Sequence, residues 1–151
     1  MNYAAKRAKG DILLFLHADT VLPKTSLSVI AQYRKGAFSL AFDHTTLVYK
    51  LLSILTTLRS RLFHLPYGDQ GIFLTKAEFE AVGGYEEIPI LEDVKLAQKI
   101  RPKILKEKVL TSTRRYENNG IVKTLLQHRL IMLGFLVGVS PHTLNNWRKS
   151  F

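Results

Sequence analysis

Apolar residues follow two different periods along the chain. Ile12 to Leu16 is a continuous apolar run between Gly10-Asp11 and the polar stretch His17-Ala18-Asp19-Thr20. Five apolar residues between breakers predict a strand covered on both faces, as in a parallel α/β sheet. Ala37 to Asp43 alternates instead, with Phe38, Leu40 and Phe42 on one face and Ser39, Ala41 and Asp43 on the other. That is the period of a strand. Residues 46–63 change to a helical period, with Leu47, Leu51, Leu55, Leu58 and Leu62 near one stripe of an amphipathic helix.

Shorter signals fill the gaps. Residues 3–9 read as the end of a helix stopped by Gly10, and Pro23 opens a helix over about 24–34. PYGDQG (66–71) is a turn-rich loop, followed by a short strand at Ile72–Leu74 and a helix, Lys76–Val82, stopped by Gly83-Gly84. Glu92–Arg101 reads as a helix whose two leading acids suit its N-terminal dipole. Residues 103–113 give one or two strands, and 121–137 an apolar-rich helix with a short one after Ser140-Pro141. No Pro/Gly/Ser-rich linker interrupts the chain, which reads as a single α/β domain over 1–151.

Composition narrows the function only a little. With 151 residues, 46% of them hydrophobic, the chain has enough apolar side chains for a core. Its net charge of +10 favours anionic partners without choosing among phosphates, polymers and acidic lipid surfaces. The absence of Cys removes disulfides and thiolate chemistry and leans towards a reducing compartment. No signal peptide is visible in MNYAAKRAKG, and the apolar run Leu130–Val139 is too short to span a bilayer, which takes ~20 residues.

Four segments carry groups suited to chemistry. His17 and Asp19 follow the first apolar strand, and the carboxyl end of such a strand is where α/β sheets place ligands. Strand alternation would point the two side chains the same way. A carboxylate with an imidazole can hold a divalent ion and, through it, phosphates; Asp19-Thr20 is equally the start of a turn and a helix cap. Asp69 and Gln70 in Gly68-Asp69-Gln70-Gly71 offer an acceptor and an amide to a hydroxyl-rich ligand, or simply form a tight loop. Glu92-Asp93 could include a general base or merely cap a helix. Arg114-Arg115, within TSTRRY, suit a diphosphate or a solvated basic strand end.

Singly these are unspecific, but their order resembles a known family. NYAAKRAKGDILLFLHADT is similar to the A-x-G-D…D-x-D segment of family 2 glycosyltransferases, which have the GT-A fold. PYGDQGIFLTKAEFEAVGGYEEIPILEDVKLAQKI resembles their acceptor-loop and GG(F/Y)…ED region, and TSTRRYENNG the arginine motif that follows. The ensemble looks most like a bacterial subgroup carrying LHADT, PYGDQG, EDV and TSxRR(W/Y), over nearly the whole chain.

The resemblance implies a GT-A-like, mostly parallel sheet with flanking helices and a helical C-terminus. It implies inverting transfer of a sugar from a nucleoside-diphosphate sugar to a hydroxyl acceptor. Asp19 matches the second Asp of the D-x-D motif, the ligand of the metal (Mn or Mg) and donor diphosphate; His17 replaces the first and removes a negative charge. Asp93 matches the usual base, with Glu92 beside it. Asp69 and Gln70 would lie near sugar or acceptor, and Arg114 and Arg115 would face the leaving diphosphate. Family members begin with a strand ending in P…NE and further β–α units that bind base and ribose. Those units are expected to be missing here, since Asn2 falls in the helix before the D-x-D strand. The chain is therefore read as the C-terminal part of the domain, with most of the nucleotide pocket absent.

That absence predicts a bare edge on Ile12–Leu16 and hence a homo-oligomer, most simply a dimer. The expected location is cytoplasmic, with peripheral membrane contact through 121–137, and no nucleic-acid partner is implied. Two other readings compete. One is a non-catalytic basic protein bound to a membrane surface or acidic polymer. The other is a nucleotidyltransferase, which would want a Gly-rich basic loop near its start, and no such loop is present.

Overall fold

The computed structural model describes residues 1–150. The chain is mixed α/β, 54% helix and 17% strand. It packs as two compact units, Met1–Glu86 with Asp93–Ser112, and Glu87–Glu92 with the chain from Thr113 onward.

The first unit runs α1 (Asn2–Arg7), β1 (Ile12–Phe15), β2 (Thr20–Val21), α2 (Ser26–Tyr33), β3 (Ala37–Phe42) and α3 (Leu47–Phe63). It continues with β4 (Ile72–Thr75), α4 (Lys76–Ala81), α5 (Glu92–Ile100, from the boundary onward) and β5 (Ile104–Thr111). β1 pairs with β4, and a second sheet has the order β2-β5-β3. Only β3 and β5 are parallel; β1–β4 and β2–β5 are antiparallel. The expected mostly parallel sheet is thus corrected to two small sheets. Gly36 joins them by exchanging backbone hydrogen bonds with Phe73 at 2.9 and 2.8 Å. A Cβ there would come within 2.9 Å of the Phe73 ring and 3.0 Å of the Lys103 carbonyl, so the close approach needs a glycine.

The core of this unit gathers Leu13, Ile72, Leu74, Phe79, Leu96 and Ile100. Phe38 and Phe73 are fully buried, each contributing about 2–3 kcal/mol of apolar transfer. β1 has one strand neighbour, so no strand pairs its other edge, and its side chains are partly covered from within the chain. Leu13 is buried, and Phe15 lies against Phe79 and Tyr85 with ring centroids 5.0 and 4.9 Å away. The expected bare edge is thus present, while the apolar surface on it is reduced, with Ile12, Leu14 and Phe15 half-buried and Leu16 exposed.

α3 departs most from its pattern. Its stripe of Leu47, Leu51, Leu55, Leu58 and Leu62 faces outward, and the residues it buries are Tyr49 and Ser60. Polar groups do the inward work: Leu40 N–H donates to Thr57 Oγ1 (3.1 Å), and Arg61 donates to Ser39 Oγ (3.2 Å).

Asn2 closes the fold over 83 residues. Its amide donates to the Tyr85 carbonyl (2.8 Å), and the Tyr85 N–H donates to its Oδ1 (2.9 Å). Gly84 must be small here, since a Cβ would lie 2.9 Å from Asn2 Oδ1, and its φ is +67°.

The second unit holds α6 (Arg114–Asn119), α7 (Ile121–Leu136) and α8 (Pro141–Ser150). Ile90, Ile131 and Leu144 form its core, with Leu91, Phe135 and Val139 packed on them. α6 begins within the segment expected to be a strand end.

Asn2→Ala removes both reciprocal hydrogen bonds to the Tyr85 backbone. It is expected to cost about 2 kcal/mol and to lower the urea midpoint. An unchanged midpoint would contradict this tie.

Candidate active site

The register of β1 on β4 builds the site. Phe15 pairs with Ile72 in antiparallel sense, so the chain just after Phe15 lies beside the chain just before Ile72. The first is the turn at His17, closed by Thr20 N–H donating to the His17 carbonyl at 3.1 Å. The second is the PYGDQG loop, whose Gly68–Gln70 form a single 3-10 turn. His17 and Asp19 therefore sit in an exposed turn beyond the strand end, and strand alternation does not govern them.

Asp93, in the first turn of α5, fastens that helix to the loop. Its Oδ2 accepts the Gly68 N–H at 2.5 Å, and its Oδ1 accepts the Val94 N–H at 2.8 Å. A Cβ on Gly68 would lie 2.5 Å from His17 Nε2 and 3.3 Å from Asp93 Oδ2, so the imidazole and the carboxylate both flank this glycine. His17, Gly68 and Asp93, far apart in sequence, are neighbours within the first unit.

Asp69 is the electrostatically unusual member. Its Oδ1 is buried and has no hydrogen-bond partner. Burial pushes its carboxyl up to about 6; His17 and Arg59 oppose the shift, while Asp93 and Asp19 add to it. A carboxyl poised there can take or give a proton near neutral pH.

Gln70 does not face a ligand. It is fully buried. Its Oε1 accepts from Ser60 Oγ (2.7 Å) and the Tyr67 N–H (3.2 Å), and its Nε2 donates to the Phe38 carbonyl (3.0 Å). It is an internal strut beneath the loop, a correction to its expected place near sugar or acceptor. The sequence reading also missed Arg59 and Ser60. The Arg59 guanidinium lies 3.9 Å from the Tyr67 ring centroid, bracing the loop. The polar pair interrupting an apolar stripe just before PYGDQG was their only signal.

Glu92, Arg114 and Arg115 belong to the second unit. The two arginines open α6, and Arg115 lines a pocket of about 260 Å³ with Lys123, Gln127 and Arg148. The buried Thr124 hydroxyl, also at that pocket, has no partner.

Among the described residues, no three His, Asp or Glu side chains converge to hold a metal ion. Asp19 and His17 offer two ligating side chains, so an ion bound through them would complete its shell with ligand or water oxygens. No family model, curated protein or solved structure matches the chain.

The raised Asp69 carboxyl makes a pH prediction with a definite sign. The folded state holds this proton more tightly than the unfolded state, so ionisation costs stability. The cost is absent below about pH 3.8, grows to about pH 6 and stays above it. A shift from 3.8 to about 6 corresponds to roughly 3 kcal/mol. Asp69→Asn should therefore melt higher than the parent at about pH 8 and nearly level with it at about pH 3.5. Equal differences at both pH values would refute the assignment.

Proposed function

We propose that the chain is a GT-A-like glycosyltransferase domain of the family 2 kind. In this reading it transfers a sugar from a nucleoside diphosphate to an acceptor hydroxyl with inversion. The observation that carries the reading is the gathering of His17, the Gly68-Asp69 turn and Asp93 around one glycine. These come from three of the motifs on which the resemblance rests.

The chemistry needs a proton acceptor, because a neutral hydroxyl is a poor nucleophile. Asp93 takes that role in this reading, held in place by two backbone N–H groups. The acceptor oxygen forms its bond to the anomeric carbon as its proton passes to the carboxylate. The bond from that carbon to the diphosphate oxygen breaks, and the electron pair leaves with the nucleoside diphosphate. Attack opposite the leaving group inverts the centre. Asp69 is the second carboxyl, able to carry a proton at neutral pH. A divalent cation bound through Asp19 would supply positive charge for the diphosphate. Arg114 and Arg115 keep the diphosphate role only by resemblance.

The test is release of nucleoside diphosphate from a panel of nucleotide sugars with Mn or Mg, using simple glycoside acceptors. Asp93→Asn should lower kcat by about 100-fold or more with little change in donor affinity. Asp19→Ala should instead abolish metal-dependent donor binding. Undiminished turnover in Asp93→Asn, or donor binding indifferent to Asp19, would defeat the reading.

A second, non-catalytic reading is favoured by α7. Val122, Leu126, Leu130, Leu133 and Leu136 are exposed along it, and no acid occurs from residue 118 to the end of the sequence. No helix among the described residues is long and apolar enough to cross a membrane. An exposed apolar face of this kind, with Lys123 and Arg129 on the same helix, suits the interface of an anionic bilayer. Vesicle binding without any sugar transfer would favour this reading over the first.

A further inference from the structure

α3 carries a second, larger surface of mixed character, wholly within the first unit. A groove of about 590 Å³ runs between this helix and the open face of β3 and β5. β3 lines it with Ser39, Leu40, Ala41 and Phe42. Ile54 and Leu58 of α3 form an apolar wall. Lys50, Lys106 and Lys108 stand around it, and no carboxylate lines it.

The cations are free to meet a ligand. Arg61, also at the groove, is spent on Ser39 Oγ and the Leu105 carbonyl. Lys50, Lys106 and Lys108 have no carboxylate partner among the described residues. Lys106 and Lys108 are two apart on β5 and so share a face, while Glu107 points to the other. From residue 44 to residue 68 the sequence has no acid at all.

The groove continues into the outward stripe of α3. Leu47 is 81% exposed, Leu51 54%, Ile54 61%, Leu58 50% and Leu62 66%. Ile54 and Leu58 belong to both stripe and groove. An apolar row of this length on a soluble surface marks an interaction site. Charge decides what covers it. A two-fold dimer through this face would set the same lysines against their own copies. An anionic amphiphile satisfies both features, with its chain on the leucines and its headgroup on the lysines.

We propose that α3 and its groove dock the protein on an anionic membrane surface. The leucine stripe enters the headgroup–acyl boundary, and a lipid phosphate is held by Lys50, Lys106 and Lys108. This goes beyond the glycosyltransferase reading and does not depend on it.

The experiment is co-sedimentation of the full chain with vesicles of phosphatidylcholine alone or mixed with phosphatidylglycerol. The parent should bind the mixed vesicles and lose them as salt rises. Lys106→Glu with Lys108→Glu should weaken that binding about thirty-fold or more, since each surface lysine contributes about 1 kcal/mol. Leu51→Gln with Leu55→Gln should also weaken it; these side chains are exposed, so the circular dichroism spectrum should not change. Undiminished binding by either variant would overturn the proposal. So would displacement from vesicles by millimolar inorganic phosphate, which would mark a free-anion site. A parent dimer made monomeric by Leu51→Gln with Leu55→Gln would make the stripe a self-interface and overturn it too.

Discussion

The hydrogen bond from Gly68 N–H to Asp93 holds together everything chemical in the first unit. It ties the first turn of α5 to a loop 25 residues earlier, and it does so at a glycine chosen for space. A side chain at position 68 would push the His17 imidazole aside and crowd the Asp93 carboxylate. The antiparallel register of β1 on β4 brings the His17 turn to the same loop. A slip of one residue would turn Phe15 out of its aromatic cluster, so packing and site geometry are set by the same pairing.

Among the described residues of the first unit, Asp69 is the exception to a satisfied interior. Nearby Gln70 makes three hydrogen bonds from full burial, whereas a buried Asp69 oxygen makes none. A carboxyl pushed up to about 6 by burial is expensive to ionise. An amide at position 69 would avoid that cost, so a purely structural loop gains nothing from the acid. A proton-handling group gains a great deal, because its two protonation states are close in energy near neutral pH. The exception is therefore an argument for function.

Periodicity alone made much of the fold legible. The helix over 46–63, the alternating strand from Ala37 and the Gly83-Gly84 stop all fall within a residue or two of α3, β3 and the end of α4. What periodicity lacks is direction. The leucine stripe of α3 has the same period whether it faces core or solvent, and Ser60 and Tyr49 take the inward side through specific bonds and ring contacts. The run Ile12–Leu16 has the composition of a parallel central strand, but β1 pairs only with β4 and is antiparallel to it. Strand sense is a property of the whole chain path, which no local window contains. At the site, the motif residues His17, Asp69 and Asp93 could be named from sequence. Gln70 could not be told from a ligand group, because amides that bind sugars and amides that brace loops have the same formula.

α3 joins the two surfaces of the first unit. Ser60 braces Gln70, and Arg59 lies over Tyr67, so the inner side of its last turns supports the PYGDQG loop. On the outer side of the same turns Leu62 and Phe63 are exposed. The helix ends at His64, only four residues before Gly68. On the proposed docking, this short link keeps the PYGDQG loop within a few residues of the part of α3 that meets the bilayer. A side chain entering lipid at position 62 or 63 then bears on the helix that positions the loop. An acceptor hydroxyl carried by a membrane-borne molecule would reach Asp93 by a shorter path than one diffusing from bulk water. If both proposals hold, the apolar stripe that left the core unserved has a reason to face outward, since it would bring a membrane-borne acceptor to the loop beside Asp93.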